Sequence, residues 1–161
     1  MARTLEVPTA ELLLDVRTPA ELALSPDGAR LAFALHATVA DVGSFQPSDL
    51  YVLGTEPSVS PQQLTSGDCC DRLPVWSPDG TRLAFLSDRV TPGHQLPYTM
   101  PGDGGEPVLG ATLRGSAESL AWSADGERLL VLAADPLSYG LDWSARAVNG
   151  AEPDPDPIVR T

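Results

Sequence analysis

Lysine is absent from this chain. All ten basic side chains are arginines, against 22 acidic residues, which gives a formal net charge of −12. A Walker A phosphate loop needs a lysine, so the absence of lysine excludes that motif. The acidic balance also disfavours nucleic-acid binding, because that binding starts with neutralisation of phosphates. We therefore expect no nucleic-acid partner.

Long hydrophobic runs are also absent. No apolar run approaches the roughly 18 residues that indicate a membrane-spanning helix. The first residues, Met1 to Thr9, lack the charged start and apolar stretch of a signal peptide. We expect no membrane contact and a cytoplasmic location. The use of arginine without lysine, with many alanine, glycine and proline residues, is typical of GC-rich bacterial genes.

The chain also lacks nucleophile and metal-binding motifs. An α/β-hydrolase presents its serine as Gly-x-Ser-x-Gly, and no such pentapeptide occurs. The segment from Leu137 to Gly140 is the nearest match, but it lacks the first glycine. His36 and His94 stand alone, at no metal-ligand spacing. The sequence predicts no catalytic residue, no metal ligand and no cofactor or cofactor-binding residue in this chain.

What the chain does contain is a repeated ten-residue phrase. It occurs at Leu24–Phe33, Trp76–Phe85 and Trp122–Val131. The serines of successive copies, Ser25, Ser77 and Ser123, are 52 and 46 residues apart. This is the spacing of a four-stranded propeller blade rather than of a helical repeat.

Each copy predicts a tight turn between two strands. Proline presets φ for the second turn position, aspartate tolerates the third, and glycine supplies a positive φ. The repeated turn residues are Ser25, Pro26, Asp27, Gly28, Ser77, Pro78, Asp79, Gly80, Ser123, Asp125 and Gly126. Because the aspartates recur with the turn, we interpret them as structural rather than catalytic.

Beyond each turn, apolar residues alternate between two faces. In the first copy Leu31 and Phe33 share one face, and Ala32 and Ala34 share the other. A strand that is apolar on both faces suits a sheet packed between two neighbouring sheets. The aromatic residues expected in the core between sheets are Phe33, Trp76, Phe85 and Trp122.

These features predict an all-β fold, a partial β-propeller of about three four-stranded antiparallel blades. The blades are expected in residues 21–145, after a lead-in at 1–20 and before a Pro/Asp-rich linker or loop at 146–161. Pro97 cannot donate to a sheet, so its strand is expected at an edge or with a bulge. Three blades form an open part-ring, which would expose two apolar faces. The expected exposed residues are Leu31, Phe33, Leu129 and Val131.

The two cysteines, Cys69 and Cys70, are adjacent and flanked by aspartates. Adjacent cysteines rarely form a disulfide without strain. Two thiols with no nearby histidine also leave a tetrahedral zinc site short of ligands. We interpret both residues as reduced cysteines in a loop that connects blades. A redox or metal role is the alternative.

The phrase Trp-Ser-Pro-Asp-Gly-x-Arg-Leu-Ala-Phe resembles the WD40-like (PD40-type) repeat of the TolB propeller and of prolyl oligopeptidase family (S9) serine peptidases. The order of Asp49–Leu53, Gln63–Gly67 and Pro74–Arg89 is similar to the opening of acylaminoacyl-peptidase and dipeptidyl-peptidase enzymes. In such peptidases an N-terminal propeller caps an α/β-hydrolase domain, which carries the catalytic triad. The resemblance implies a non-catalytic propeller segment that gates or positions short peptides for a hydrolase domain absent from this chain.

Two alternatives stay open: a stand-alone TolB-like scaffold for protein–protein interaction, and a truncated, inactive gene product. The expected partners are a C-terminal hydrolase domain or further blades, the peptide substrate of the full-length enzyme, and a second copy of the chain. We expect no enzymatic activity from this chain alone. We also expect it to be an N-terminal fragment that is marginally stable, oligomeric or dependent on a partner.

Overall fold

The computed structural model describes residues 17–37, 47–56 and 59–134, and all regular secondary structure in these residues is β-strand. The strands in chain order are β1 (Arg17–Leu24), β2 (Arg30–Ala37), β3 (Ser48–Gly54), β4 (Gln62–Gln63), β5 (Asp71–Trp76), β6 (Arg82–Ser87), β7 (Leu96–Pro101), β8 (Val108–Leu109), β9 (Ala117–Trp122) and β10 (Leu129–Ala133). The predicted all-β class is confirmed.

The strands form three antiparallel sheets in the order of the chain. The first sheet is β1-β2-β3-β4 and the second is β5-β6-β7-β8, while β9 and β10 are the described strands of the third. The first strands of neighbouring sheets pack together, β1 with β5 and β5 with β9, as inner strands of propeller blades do. The first described strand begins at Arg17. The boundary expected at residue 145, and the Pro/Asp-rich segment after it, lie outside the described residues.

The three sheets stack face to face through the alternating apolar residues. Ala32, Ala34, Leu50 and Val52 of the first sheet pack against a side of the second sheet that carries Phe85. The opposite side of the second sheet packs against the third. That second interface contains Ala84, Leu86, Ala117, Leu120, Trp122, Leu129 and Val131. The second sheet is therefore covered on both faces, as the two-faced pattern predicts.

Pro97 does not occupy the expected edge or bulged strand. Strand β7 lies between β6 and β8, and it pairs with β6 without a register shift at Leu86↔Pro97. The carbonyl of Pro97 accepts a hydrogen bond from Gly110 N at 2.8 Å, so its nitrogen points to the same side. Strand β8 ends at Leu109, just before that position. Pro97 therefore lacks its backbone donor only at a position where β8, a strand of two residues, has already ended.

The expected list of exposed apolar residues is wrong: Phe33 is only 8% exposed, and Leu31, Leu129 and Val131 are partly buried. Leu129 and Val131 pack against the second sheet, whereas Leu130 and Leu132 on the opposite face are 64% and 62% exposed. Leu31 and Phe33 do lie on the outer face of the first sheet, in an apolar groove lined also by Leu35 and Tyr51. In each copy, the residues at these positions face the preceding sheet. That face is the outer one in the first sheet, whereas in the third sheet it packs against the second.

Candidate interaction site at the sheet interfaces

The three turns have one hydrogen-bond pattern. In the second copy, Ser77 Oγ donates to Asp79 Oδ1 at 2.5 Å, and the same oxygen accepts from Thr81 N at 3.0 Å. Ser77 Oγ in turn accepts from Arg82 N at 2.9 Å. The first and third copies repeat these bonds with Ser25 and Asp27, and with Ser123 and Asp125. Each glycine that follows has a φ close to +70°, as a left-handed turn position requires.

These bonds stabilise the ionised form of each turn aspartate. The hydrogen bond from Ser77, followed by those from Thr81, lowers the pKa of Asp79 to about 2. The pKa values of Asp27 and Asp125 are lowered by the equivalent serine and backbone bonds. All three carboxylates are exposed to solvent and already engaged in their turns. This supports the structural interpretation of the repeated aspartates.

A recurring arginine joins each of the first two turns to the next sheet. The Arg30 guanidinium lies 4.4 Å from the centroid of the Trp76 ring, and its Nη2 donates to Gly80 O at 2.6 Å. Trp76 Nε1 returns a hydrogen bond to Ala23 O at 3.0 Å. We call this set of three interactions the arginine–tryptophan contact. It combines a cation–π interaction with two hydrogen bonds between neighbouring sheets.

The second interface repeats the arginine–tryptophan contact. Arg82 lies 4.7 Å from the centroid of Trp122, and its Nη2 donates to Gly126 O at 2.6 Å. Trp122 Nε1 donates to Val75 O at 3.0 Å. The core positions of Trp76 and Trp122 were predicted from the sequence, but the roles of the arginines were not. Their recurrence at the same position of the phrase was the available signal.

A buried ion pair lies at the other end of the second sheet. Asp71 is fully buried, and Arg89 Nη2 donates to its two carboxylate oxygens at 2.9 and 3.0 Å. The same guanidinium lies 4.8 Å from the centroid of Tyr98 and 5.5 Å from that of Phe85. The burial of a carboxylate is tolerated here because the arginine neutralises it. This cluster was not predicted.

The two cysteines are unpaired and half-buried beside this cluster. Burial, reinforced by the negative charge of Asp71, raises the pKa of Cys69 to about 11. Burial also raises the pKa of Cys70. A thiol with a raised pKa is a poor nucleophile and metal ligand near neutral pH. The environment favours the interpretation as reduced thiols over a redox role.

The inner strands carry a smaller polar cluster. Glu21 Oε2 accepts from Leu73 N at 2.7 Å, and Glu21 Oε1 lies 3.4 Å from Arg72 Nη2. Glu21 and Leu73 have φ values of 57° and 51°, and both lie at register shifts in their strands. The side chain of His36 approaches Glu21 at 3.9 Å. The cluster thus links equivalent irregularities of the first two sheets.

The remaining residues considered from sequence have local roles. His94 Nε2 lies 3.0 Å from Gly115 O, in a loop of the second blade. Within residues 17–37, 47–56 and 59–134, no group of three or more His, Cys, Asp or Glu side chains could hold a metal. The segment from Leu137 to Gly140 lies outside these residues. Within the same ranges, no helix is long and apolar enough to cross a membrane.

The chain is similar in sequence and in structure to several known proteins. No protein-family model matches the chain. An uncharacterized peptidase of Bacillus subtilis, YuxL, is 35% identical over 107 residues, which are 66% of this chain and 16% of the peptidase. A TolB protein of Agrobacterium tumefaciens superposes with a TM-score of 0.59 at 21% identity, over 75% of this chain and 40% of that protein. The chain is a segment of a TolB-like β-propeller related to a peptidase.

Two further solved structures share this propeller fold. TolB of Acinetobacter baumannii gives a TM-score of 0.53 at 19% identity, over 71% of this chain and 26% of that one. The AtxE2 isopeptidase with Astexin3-dC4 bound gives 0.57 at 19% identity, over 71% of this chain and 22% of the isopeptidase. The propeller segment therefore spans about one sixth of its peptidase relative and less than half of each structural neighbour.

Proposed function

We propose that this propeller segment serves a prolyl oligopeptidase family serine peptidase, in which it gates or positions short peptides without taking part in the chemistry. The observation that carries the proposal is the 35% identity to a peptidase over 107 residues. The isopeptidase neighbour shows that the same blade fold occurs in a second enzyme that acts on amide bonds. The catalytic serine is proposed to lie in a hydrolase domain outside this chain.

The geometry of the described residues supports a scaffold role. The repeated aspartates are engaged in turns, the recurring arginines join sheets, and the thiols are held protonated. Peptide hydrolysis by a serine enzyme needs a nucleophile activated by a base and an oxyanion site. The described side chains show no such arrangement. A gating role instead needs neighbouring sheets that are joined to each other, and the arginine–tryptophan contacts between the sheets are consistent with that role.

The first test is the intact mass of the native protein in its source cells. Peptides from Trp76 to Arg89 identify the protein, and a fluorophosphonate probe reports an active serine. A mass several times 16.9 kDa together with probe labelling is expected. A native mass equal to that of this chain, without labelling, would reject the peptidase proposal.

Gating is tested separately on the full-length enzyme. Arg82→Met removes the guanidinium at the second interface, and Arg114→Met changes an exposed arginine as the control. If the propeller excludes long peptides, Arg82→Met should raise kcat/KM for long peptides relative to short ones, while Arg114→Met should not. An unchanged ratio in both variants would argue against gating.

A stand-alone TolB-like binding scaffold is the second candidate. It is favoured by the structural likeness to TolB and by the apolar groove on the outer face of the first sheet. This candidate predicts a native mass of 16.9 kDa, no serine-probe labelling, and a defined complex with itself or another protein. The mass measurement therefore separates the two candidates directly.

A further inference from the structure

The two described interfaces are built from two unlike halves. One sheet contributes an arginine, a backbone carbonyl and small or branched apolar side chains. The next sheet contributes a tryptophan, a glycine carbonyl and apolar side chains of its second strand, such as Phe85 at the first interface and Val131 at the second. The proline of the first turn also packs near the glycine of the next, since a Cβ at Gly80 would lie 3.5 Å from Pro26 Cδ. We call the half that contributes the arginine the donor half, and the half that contributes the glycine carbonyl the acceptor half.

The third sheet presents a donor half that no described residue covers. Arg128 occupies the position of Arg30 and Arg82, yet its side chain is 65% exposed and reaches only Asp125, at 3.6 Å. Leu130 and Leu132, on the same outer face, occupy the positions of Ala84 and Leu86. The third turn has alanine where the others have proline, so the arginine carries a larger part of this half.

The first sheet does not present an acceptor half. Leu24 stands where the other copies have tryptophan, and it is 59% exposed. The Gly28 carbonyl is already engaged, because Thr55 Oγ1 donates to it at 3.1 Å. Thr55 occupies the position of Gly102, since their amides bond to equivalent turn carbonyls. A Cβ at Gly102 would overlap the Trp76 ring, so Thr55 and a tryptophan at position 24 are mutually exclusive.

We propose that Arg128, Leu130 and Leu132 form a docking surface for a further blade with a Trp-Ser-x-Asp-Gly turn. That blade places its tryptophan against the Arg128 guanidinium and its turn glycine carbonyl within reach of the same group. Large apolar side chains of its second strand cover the two leucines. The first sheet of another copy is a poor substitute, because it offers Leu24 and an occupied carbonyl. This proposal holds whether the whole protein is a peptidase or a scaffold.

Arginine modification in the native protein tests the docking surface. Phenylglyoxal is applied to protein from source cells and to the isolated 161-residue chain, and each arginine is followed by mass spectrometry. Arg128 should react several-fold more slowly in the native protein, at a rate close to that of Arg82, because its guanidinium would then be held by a ring and a carbonyl as Arg82 is. Exposed Arg114 should react rapidly in both samples. Arg89, which is 25% exposed and paired with buried Asp71, should react slowly in both.

Two outcomes of that experiment would overturn the proposal. Equal reactivity of Arg128 and Arg114 in the native protein would show that nothing covers the surface. Protection of Arg128 in the isolated chain would assign the cover to this chain itself or to a second copy. Neither outcome depends on serine-probe labelling, so the fate of the peptidase proposal is read out independently.

A designed variant tests the chemistry of the partner. The double change Leu24→Trp and Thr55→Gly gives the first sheet the tryptophan and glycine of the second. Sedimentation velocity should then show head-to-tail self-association at least about tenfold tighter than wild type, a difference of about 1.4 kcal/mol. Adding Arg128→Met should remove the gain, and adding Arg114→Met should not. Circular dichroism verifies that each variant folds.

A folded double variant that associates no more tightly than wild type would contradict the stated partner chemistry. The same conclusion follows if the gain survives Arg128→Met. If the double variant does not fold, the arginine-modification experiment still decides the proposal, because it uses the unaltered sequence.

Discussion

The first and second sheets contain the same aromatic pair in two different environments. Phe33 stacks on Tyr51 with centroids 5.8 Å apart, and Phe85 stacks on Tyr98 at 5.9 Å. In the second sheet Arg89 caps both rings and is held by Asp71. At the positions that correspond to Asp71, Ser87 and Arg89, the first sheet has Pro19, Leu35 and Ala37. One pair is thus sealed by a buried ion pair, while the other borders an apolar groove.

The comparison shows that burial of a repeat residue depends on its neighbours. Phe85 is fully buried because the first sheet packs over it, whereas Phe33 keeps 8% exposure beside the groove. Stability in a repeat protein is approximately a sum of repeat and interface terms. Equivalent substitutions in the two sheets should therefore differ, and the differences measure what the neighbouring sheet contributes.

The largest difference is expected for truncation of the phenylalanines. Phe85→Ala should lower the free energy of unfolding by about 3–5 kcal/mol, because it opens a cavity between two packed sheets. Phe33→Ala should cost distinctly less, since its groove is already open on one side. Urea denaturation followed by circular dichroism measures both. Equal losses would mean that the groove is covered in solution.

The buried ion pair should give the next largest effect. Asp71→Ala leaves the Arg89 guanidinium over the two rings without its carboxylate, and should cost about 3 kcal/mol. The matched pair on the first sheet is Arg17 with Asp49, 3.5 Å apart, in which Arg17 is 49% exposed. Arg17→Ala should change stability by less than about 1 kcal/mol. Urea midpoints of the two variants compare the pairs, and similar losses would refute the distinction.

Loss of an arginine–tryptophan contact should have a moderate effect. Arg82→Met keeps the aliphatic stem but removes the cation–π interaction and the bond to Gly126 O, at a cost of about 1–2 kcal/mol. Arg128→Met in the isolated chain should be close to neutral, because Asp125 is the partner of the guanidinium among the described residues. Thermal unfolding of the two variants side by side provides the measurement. A large loss for Arg128→Met would show a contact outside the described residues.

The smallest effect is expected from titration of the turn aspartates. The folded-state pKa of Asp79 is about 2, below its ordinary value of 3.8, so ionised Asp79 stabilises the fold above pH 4. That contribution is lost as the pH falls from about 4 through 2, because the proton binds more readily to the unfolded chain. Asp79→Asn should therefore flatten the stability profile in this window. Urea midpoints measured from pH 5 to pH 2 test this, and unchanged steepness would count against it.

The pattern of the sequence predicted the local part of the candidate site. Ser77, Asp79 and Gly80 form their turn from bonds within six residues, so turn chemistry alone predicts the geometry. The apolar alternation likewise predicted that the second sheet would be covered on both faces. The roles of Arg30 and Arg82 could not be predicted, because their partners lie 50 and 44 residues away in the next sheet.

Strand alternation and turn residues act over short distances, so the repeat unit, the turns and the all-β class follow from the order of the amino acids. The outward orientation of Leu130 and Leu132, and the inward packing of Leu129 and Val131, follow instead from the stacking of the sheets. The tertiary fold also sets the place of Pro97 in an internal strand and the burial of Asp71 with Arg89. These outcomes depend on which sheet lies on which face, and that is set by stacking between distant segments rather than by local preference.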